Sequence, residues 1–284
     1  MVSQSPDRPR SGLPQGGNMR ALLRHLTMLT VLLVAPGCAT WSGGNWGADV
    51  TFTPGWQRVG EAARHAALDP LTWAPTAGAA VFAITDWDDE VLEWATDHNP
   101  LFGNIEDAKD WSDDLAVVAS VNWFATAVAT PSGKEEFWVN KARGMGMQAA
   151  TLFATRSITD GLKSLVDRER PDRPADNSFP SLHTSGATSA STLAARNIDY
   201  MPLSDARKTW WKVGGYTVAG LTGWARIEGN RHYPSDVLFG FALGHFIAAF
   251  MNDAFVTPEG RESLAFRVDT AGPEGLVVGL DYRF

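Results

Sequence analysis

The sequence predicts an all-α helical bundle closed by a small C-terminal β-hairpin, and three observations carry that expectation. From Gln57 onward, apolar residues recur at the three- and four-residue spacing of helices, segment after segment, with Pro and Asp between them. With 44% hydrophobic residues in a chain of 284, a sizeable core can be filled. The tail then changes period: LAFRVD, a turn TAGPEG and LVVGLDYRF alternate apolar and polar residues up to Phe284.

Residues 1–39 read as a leader. The first 18 are polar and rich in Gly and Pro, whereas Met19 opens MRALLRHLTMLTVLLVAPGC, in which Arg20 and Arg24 precede an apolar run and small residues, the pattern of a bacterial export signal. Cys38, the one cysteine, is the candidate lipidation site; cleavage after Ala39 is the alternative, because Pro36 stands where a lipoprotein signal usually has a small residue. A single cysteine excludes an internal disulfide framework and a cysteine-based metal site. Residues 40–56, TWSGGNWGADVTFTPGW, have no sustained period and read as irregular.

The helical domain is expected over 57–255. WQRVGEAARHAAL, LTWAPTAGAAVFAIT and DDEVLEWATDH come first, followed by longer helices at 113–130, 134–170, 181–196, 205–227 and 234–252. None is a clean membrane span, since Asn122, Lys212 or Asp253 interrupts or ends the apolar run, and mean hydropathy is −0.14. Burial of the helices against one another is therefore expected. Residues 256–284 form the expected hairpin; an alternating end in an aromatic resembles the last strand of an outer-membrane barrel, but one hairpin makes no barrel and is expected to pack on the bundle. Net charge is −8 and the pI near 5.2, which argues against a nucleic-acid binder, so the basic residues must act locally.

Three local clusters stand out. In RIEGNRHYPSD (226–236), Pro234 suits the first helical position, which puts His232 beside a helix mouth and Asp236 in the first turn, where an acid complements the dipole. In FPSLHTSGATSAS (179–191), the same order of proline, hydroxyl and histidine precedes a helix of small residues, whose free N–H groups suit an anion; Ser181 is alternatively only a cap. In DGLKSLVDRERPDRP (160–174), Pro171 is expected to stop the helix just after Arg170. Lys163 and Arg170 are then about 10 Å apart along one face, so both reach one ligand only if Arg170 folds back past the helix end. Asp167, Arg168 and Glu169 read as a solvated charge run.

Taken together, KSLVDRERP (163–171), PSLH (180–183) and RIEGNRHYPSD (226–236) resemble the three-part signature of the type-2 phosphatidic acid phosphatase and vanadium haloperoxidase superfamily. Two positions depart from it. Leu182 stands where the family has Gly, keeping the N–H but adding apolar bulk, which is expected to alter substrate fit more than chemistry. Ala225 replaces the usual serine before Arg226, and the gap between the first two motifs is short.

The resemblance implies that family's helical core and a metal-independent phosphatase acting on a phosphate monoester or pyrophosphate. Lys163, Arg170 and Arg226 would surround the phosphoryl oxygens, and Ser181 with the N–H groups of Leu182 and His183 would complete the cradle. His232 would be the nucleophile, Asp236 would hold its other ring nitrogen, and His183 would be general acid and then base. No cofactor is expected, and vanadate should inhibit. With the export signal, the resemblance points to a phosphorylated lipid at a membrane surface of the cell envelope, with a soluble phosphate ester as the alternative. The rivals are a haloperoxidase with vanadate as cofactor and a non-catalytic envelope protein that binds a lipid or anion. The pairing of two histidines with Asp236 speaks against the latter, since binding alone needs no oriented nucleophile. His25, His65, His98 and His245 fit no motif; His245 reads as a core residue, and Glu228 with Arg231 as a local salt-bridging loop.

Overall fold

Small side chains decide how the helices of this protein pack. The computed structural model describes residues 45–256 and the backbone of 264–270 and 276–282. The expected leader and Cys38 lie outside the described residues. Eight helices are described: α1 (Trp56–Leu68), α2 (Pro70–Ile84), α3 (Trp87–His98), α4 (Ile105–Ala129), α5 (Phe137–Val166), α6 (Leu182–Asp199), α7 (Asp205–Glu228) and α8 (Pro234–Phe255). Strands β1 (Leu264–Thr270) and β2 (Leu276–Tyr282) pair antiparallel, with Leu264 opposite Tyr282.

Caps set several boundaries. Asp69 ends α1 and starts α2, its Oδ1 accepting the Leu71 N–H at 2.8 Å. Asn104 accepts the Asp107 N–H at 2.9 Å and starts α4 at Ile105, well before residue 113, where the apolar run had suggested a start. Glu106 and Asp107 then complement the dipole in the first turn. At the other end of α4, the buried Lys141 ammonium donates to the carbonyls of Ala127, Val128 and Thr130, groups that no intrahelical N–H satisfies.

Helix α6 sits at the centre, against α4, α5, α7 and α8. Its sequence, LHTSGATSASTLAARNID, has almost no bulk, and most residues from Thr184 to Ile198 are buried. Gly240 and Gly244, one turn apart on α8, let the two backbones touch. A Cβ on Gly244 would lie 2.2 Å from the Ser185 carbonyl oxygen, and one on Gly240 2.8 Å from that of Ser181. On the α5 side of α6 the buried hydroxyls find partners: Thr155 with Ser189 at 3.1 Å and Thr159 with Ser185 at 3.0 Å. The interior is thus held by alanine contacts and paired hydroxyls as much as by large apolar side chains.

Trp46 pins the irregular stretch to the bundle. It is fully buried, its N–H donates to the Pro131 carbonyl at 3.1 Å, and its ring occupies the space over Gly144. Trp56, Trp73, Trp87, Trp94, Trp138 and Trp210 are instead exposed, so core packing does not account for the tryptophan content. Among the described residues, α8 alone is long and apolar enough to cross a membrane, and half of that stretch is buried within the bundle.

Candidate active site

The mouth of α8 forms as its residues require. Tyr233 is the N-cap and Pro234 the first helical residue, so Asp236 falls in the first turn. One carboxylate oxygen of Asp236, Oδ2, accepts the Tyr233 N–H at 2.9 Å and lies 3.7 Å from Nδ1 of His232. Cap and imidazole partner are one residue. Both side chains are buried, and His232 Nδ1 has no hydrogen-bond partner.

Helix α6 begins alongside. Ser181 donates its N–H to the Asp236 carbonyl at 3.0 Å, so the starts of α6 and α8 are tied together. The Ser181 hydroxyl makes no cap; it accepts from Thr184 Oγ1 at 2.9 Å, which leaves its own proton for another acceptor. His183, the second residue of α6, places Nε2 2.9 Å from Asp113 Oδ1 of α4.

The end of α5 differs from expectation in a way that assembles the site. The helix stops at Val166, not at Pro171: Asp167 takes a left-handed conformation (φ 51°) and its N–H closes on the Lys163 carbonyl at 3.2 Å. The chain then leaves the axis, and the Ser178 N–H donates to the Arg168 carbonyl, pairing the segment with residues further on. Arg170 is thereby folded back. Lys163 Nζ (3.1 Å) and Arg170 Nε (3.2 Å) both donate to the same Asn177 carbonyl. Arg226, near the end of α7, is 6% exposed; Nη1 donates to Ser112 Oγ at 3.0 Å and Nε is buried without a partner.

The charges report on one another. Burial depresses the His232 pKa well below the ordinary histidine value, and Arg226, Lys163, Arg170 and His183 push it in the same direction. His183 is lowered to about 4, by burial first and then by Arg226, against the opposing pull of Asp113. Burial, with Arg170 next, brings Lys163 to about 8 and Arg226 to about 10. Asp236 is raised by burial despite the Arg168 charge. Groups separated by up to 69 positions (232 minus 163) therefore act on one another at one place in the fold, where positive charge predominates.

Acid should destabilise the fold through these groups. Both imidazoles have folded-state pKa values below the unfolded value near 6.5, so between about pH 4 and about 6.5 the unfolded chain binds protons that the folded chain does not. Stability therefore rises with pH through that window and is lost as pH falls. Asp236, being raised, works the other way in the lower part of it, one group against two. The midpoint of thermal unfolding is expected to drop between about pH 7 and about pH 5, and inorganic phosphate should recover part of the loss by binding the folded state. A flat profile would show that the histidines are not buried in the neutral form.

His232, Asp236, Ser181, His183, Lys163, Arg170 and Arg226 lie near one another, with Leu182 at the start of α6 between Ser181 and His183, and the residues that brace them carried no signal in the sequence. Arg168 is not a solvated charge. Nη1 donates to Asp236 Oδ1 at 2.9 Å and to Ser235 Oγ at 2.7 Å, Nη2 donates to Asp88 Oδ2 at 2.9 Å, and the guanidinium lies 4.0 Å from the centre of the Tyr233 ring. Nothing in the acidic run of α3 marks Asp88, 80 positions upstream of Arg168. Arg231 pairs with Asp172 at 2.8 Å rather than with Glu228, whose carboxylate accepts the N–H groups of Leu101 and Phe102. His245 is buried in the core, 3.0 Å from Thr192 Oγ1.

Beside His183 runs an open groove of about 660 Å³, lined along α4 by Asp113, Ala116, Val117, Ser120, Val121 and Phe124. Its walls are mainly apolar, and Val117 and Phe124 are exposed in it. One end thus abuts the cationic pocket.

Residues 145–257, from the middle of α5 past the end of α8, match the PAP2 superfamily. The chain is similar to lipid A 1-phosphatase of Porphyromonas gingivalis, 39% identical over 116 residues that make up 39% of this chain and 23% of that protein. It is also similar to decaprenylphosphoryl-5-phosphoribose phosphatase of Mycobacterium tuberculosis, 30% identical over 135 residues, 44% of this chain and 65% of that one. It therefore spans about a quarter and about two thirds of these curated relatives. Among solved structures, a transmembrane PAP2-type phosphatidylglycerolphosphate phosphatase from Bacillus subtilis aligns over 82% of this chain and 93% of its own, at 17% identity and a TM-score of 0.38.

Proposed function

We propose, with residues 145–257 a PAP2-superfamily segment, that this protein is a phosphoric ester hydrolase working through a phosphohistidine at His232. The observation that carries the proposal is the buried His232 imidazole facing Asp236 at 3.7 Å, with Arg226, Lys163 and Arg170 near enough to favour its neutral form. A nucleophile must present a lone pair. A proton on Nδ1, directed at Asp236, leaves Nε2 free to attack phosphorus, and Asp236 then supports the positive charge that forms on the ring.

The three cations and the N–H groups at the start of α6 oppose the charge on the equatorial oxygens of the group in transfer. His183 protonates the departing alkoxide, and its neutral form afterwards takes a proton from the water that attacks the phosphohistidine. Arg226 and Arg170 both help to lower the His183 pKa. A phosphate dianion neutralises the arginines that depress it and restores a proton donor.

A phosphorylated lipid is the substrate class we favour. The apolar groove ends at His183, the leaving-group side, and two similar proteins are named for phosphorylated glycolipid and polyprenyl compounds. Membrane association in the cell envelope follows from that reading, and Lys163, Arg170 and Arg226 supply the countercharge on which the expectation of no cofactor rests. Vanadate, which adopts the five-coordinate geometry of the transferring group, should act as a competitive inhibitor. The direct test is alkaline-quench trapping: brief reaction with a radiolabelled phosphate ester, denaturation in alkali and peptide mapping should find an alkali-stable, acid-labile phosphoryl group on the peptide containing His232. Label on a serine, or none at any time point while product accumulates, would refute the covalent route.

A further inference from the structure

Arg168 belongs to none of the groups that surround the pocket's centre, yet it is the most connected cation near it. One nitrogen is shared between Asp236 Oδ1 and Ser235 Oγ, the other goes to Asp88 Oδ2, and the ring of Tyr233 supports the guanidinium face. Asp88 is anchored in turn. Its Oδ1 accepts the Ser235 N–H at 2.8 Å and its Oδ2 the Ser235 hydroxyl at 2.5 Å, and the side chain is only 5% exposed. The two oxygens of Asp236 are consequently divided: Oδ1 is held by Arg168, while Oδ2 caps Tyr233 and faces His232.

From this division we infer that Arg168, anchored by Asp88, is a positioning residue for the reaction, fixing the Asp236 carboxylate so that its second oxygen stays on the His232 imidazole. The inference rests on the phosphohistidine reading and adds to it a support that reaches from α3 across the α5 exit to α8. It also gives the buried carboxylate its countercharge. The charged and titratable groups facing Asp236 are Arg168 and Asp88 on one side, Tyr233 and His232 on its own approach, and Lys163 from α5. Of these, Arg168 is the cation in hydrogen-bond contact, and burial already pushes the Asp236 carboxyl upward. Without Arg168 the carboxyl would hold its proton to higher pH, and a protonated Asp236 cannot support the ring cation.

The test uses the full chain with p-nitrophenyl phosphate as the probe. Arg168→Gln is expected to lower kcat roughly 10- to 100-fold with KM changed less than about threefold, the range found when partners that orient a functional imidazole are removed. The acid limb of its pH profile should move to higher pH, which a general loosening of the fold would not produce. Guanidinium added to Arg168→Ala should restore part of kcat. In Asp236→Asn, the further change Arg168→Gln should cost little, because the arginine then has nothing to position.

Wild-type kcat and an unmoved acid limb in folded Arg168→Gln, or full additivity with Asp236→Asn, would overturn the inference. If Arg168→Gln does not fold, Arg168→Lys decides, since it keeps the charge but not the two-nitrogen fork: a reduced kcat with a shifted limb supports the inference and wild-type values refute it. Failure of the underlying reading looks different. There His232→Ala would stay active, whereas failure of this inference alone leaves His232→Ala inactive beside a fully active Arg168 variant.

Discussion

His232→Ala is expected to lower turnover of a phosphate ester by roughly 10³- to 10⁶-fold, as loss of a covalent nucleophile does. Its effect on folding should be small for a buried site. Nδ1 makes no hydrogen bond, so truncation orphans no partner, and it removes one of the groups whose neutral burial costs stability in acid. Lys163, Arg170 and Arg226 remain, so inorganic phosphate should still raise the unfolding midpoint of the variant. Turnover and phosphate-induced stabilisation, measured together, separate chemistry from binding. Wild-type turnover in a folded His232→Ala protein would end the proposed mechanism.

Gly244→Ala should be severely damaging where α6 and α8 cross. The added methyl would lie 2.2 Å from the Ser185 carbonyl oxygen, a backbone atom that no rotamer change can move. The cost is expected at about 3 kcal/mol or more, the upper range for overpacking. Because α6 starts at the proposed phosphate cradle, a forced separation of α6 from α8 also pulls Ser181 and His183 away from His232. Activity should fall even in conditions where the variant stays folded. Gly220→Ala on α7, where a Cβ meets open space, is the control and should be neutral or slightly stabilising through helix propensity. Denaturant unfolding of both variants, followed by activity assay below the transition, checks the pair; equal stability would mean that α6 and α8 are not in backbone contact.

The helices and the eight candidate residues were legible because their signals are local. A proline at the first helical position, a histidine two residues before it and an acid two residues after it fix the α8 mouth whatever the rest of the chain does. The repeated small residues of FPSLHTSGATSAS likewise announce a helix that other helices can approach closely. The exit of α5 was not legible. Pro171 is a strong stop signal, but Asp167 turns the chain four residues sooner, because Arg168 leaves the helix to meet two buried carboxylates that only the tertiary fold brings near. Proximity of Asp88 and Arg168 across 80 positions has no periodicity to reveal it. The early start of α4 was hidden for a different reason: its first turns are acidic and amphipathic signal is weak there, so the cap at Asn104 rather than hydrophobic spacing defines the boundary.

The supports of the pocket come from both sides of residue 145. Asp88 braces the arginine from α3, while Ser112 and Asp113 of α4 hold Arg226 and His183. A fragment cut to residues 145–257 would carry every motif residue and still leave three side chains, Arg168, Arg226 and His183, each short of an oxygen partner. The recognisable stretch is thus not a transferable cassette: grafted alone onto another scaffold it should bring the signature but not the geometry, unless the host supplies acceptors where the first four helices place theirs.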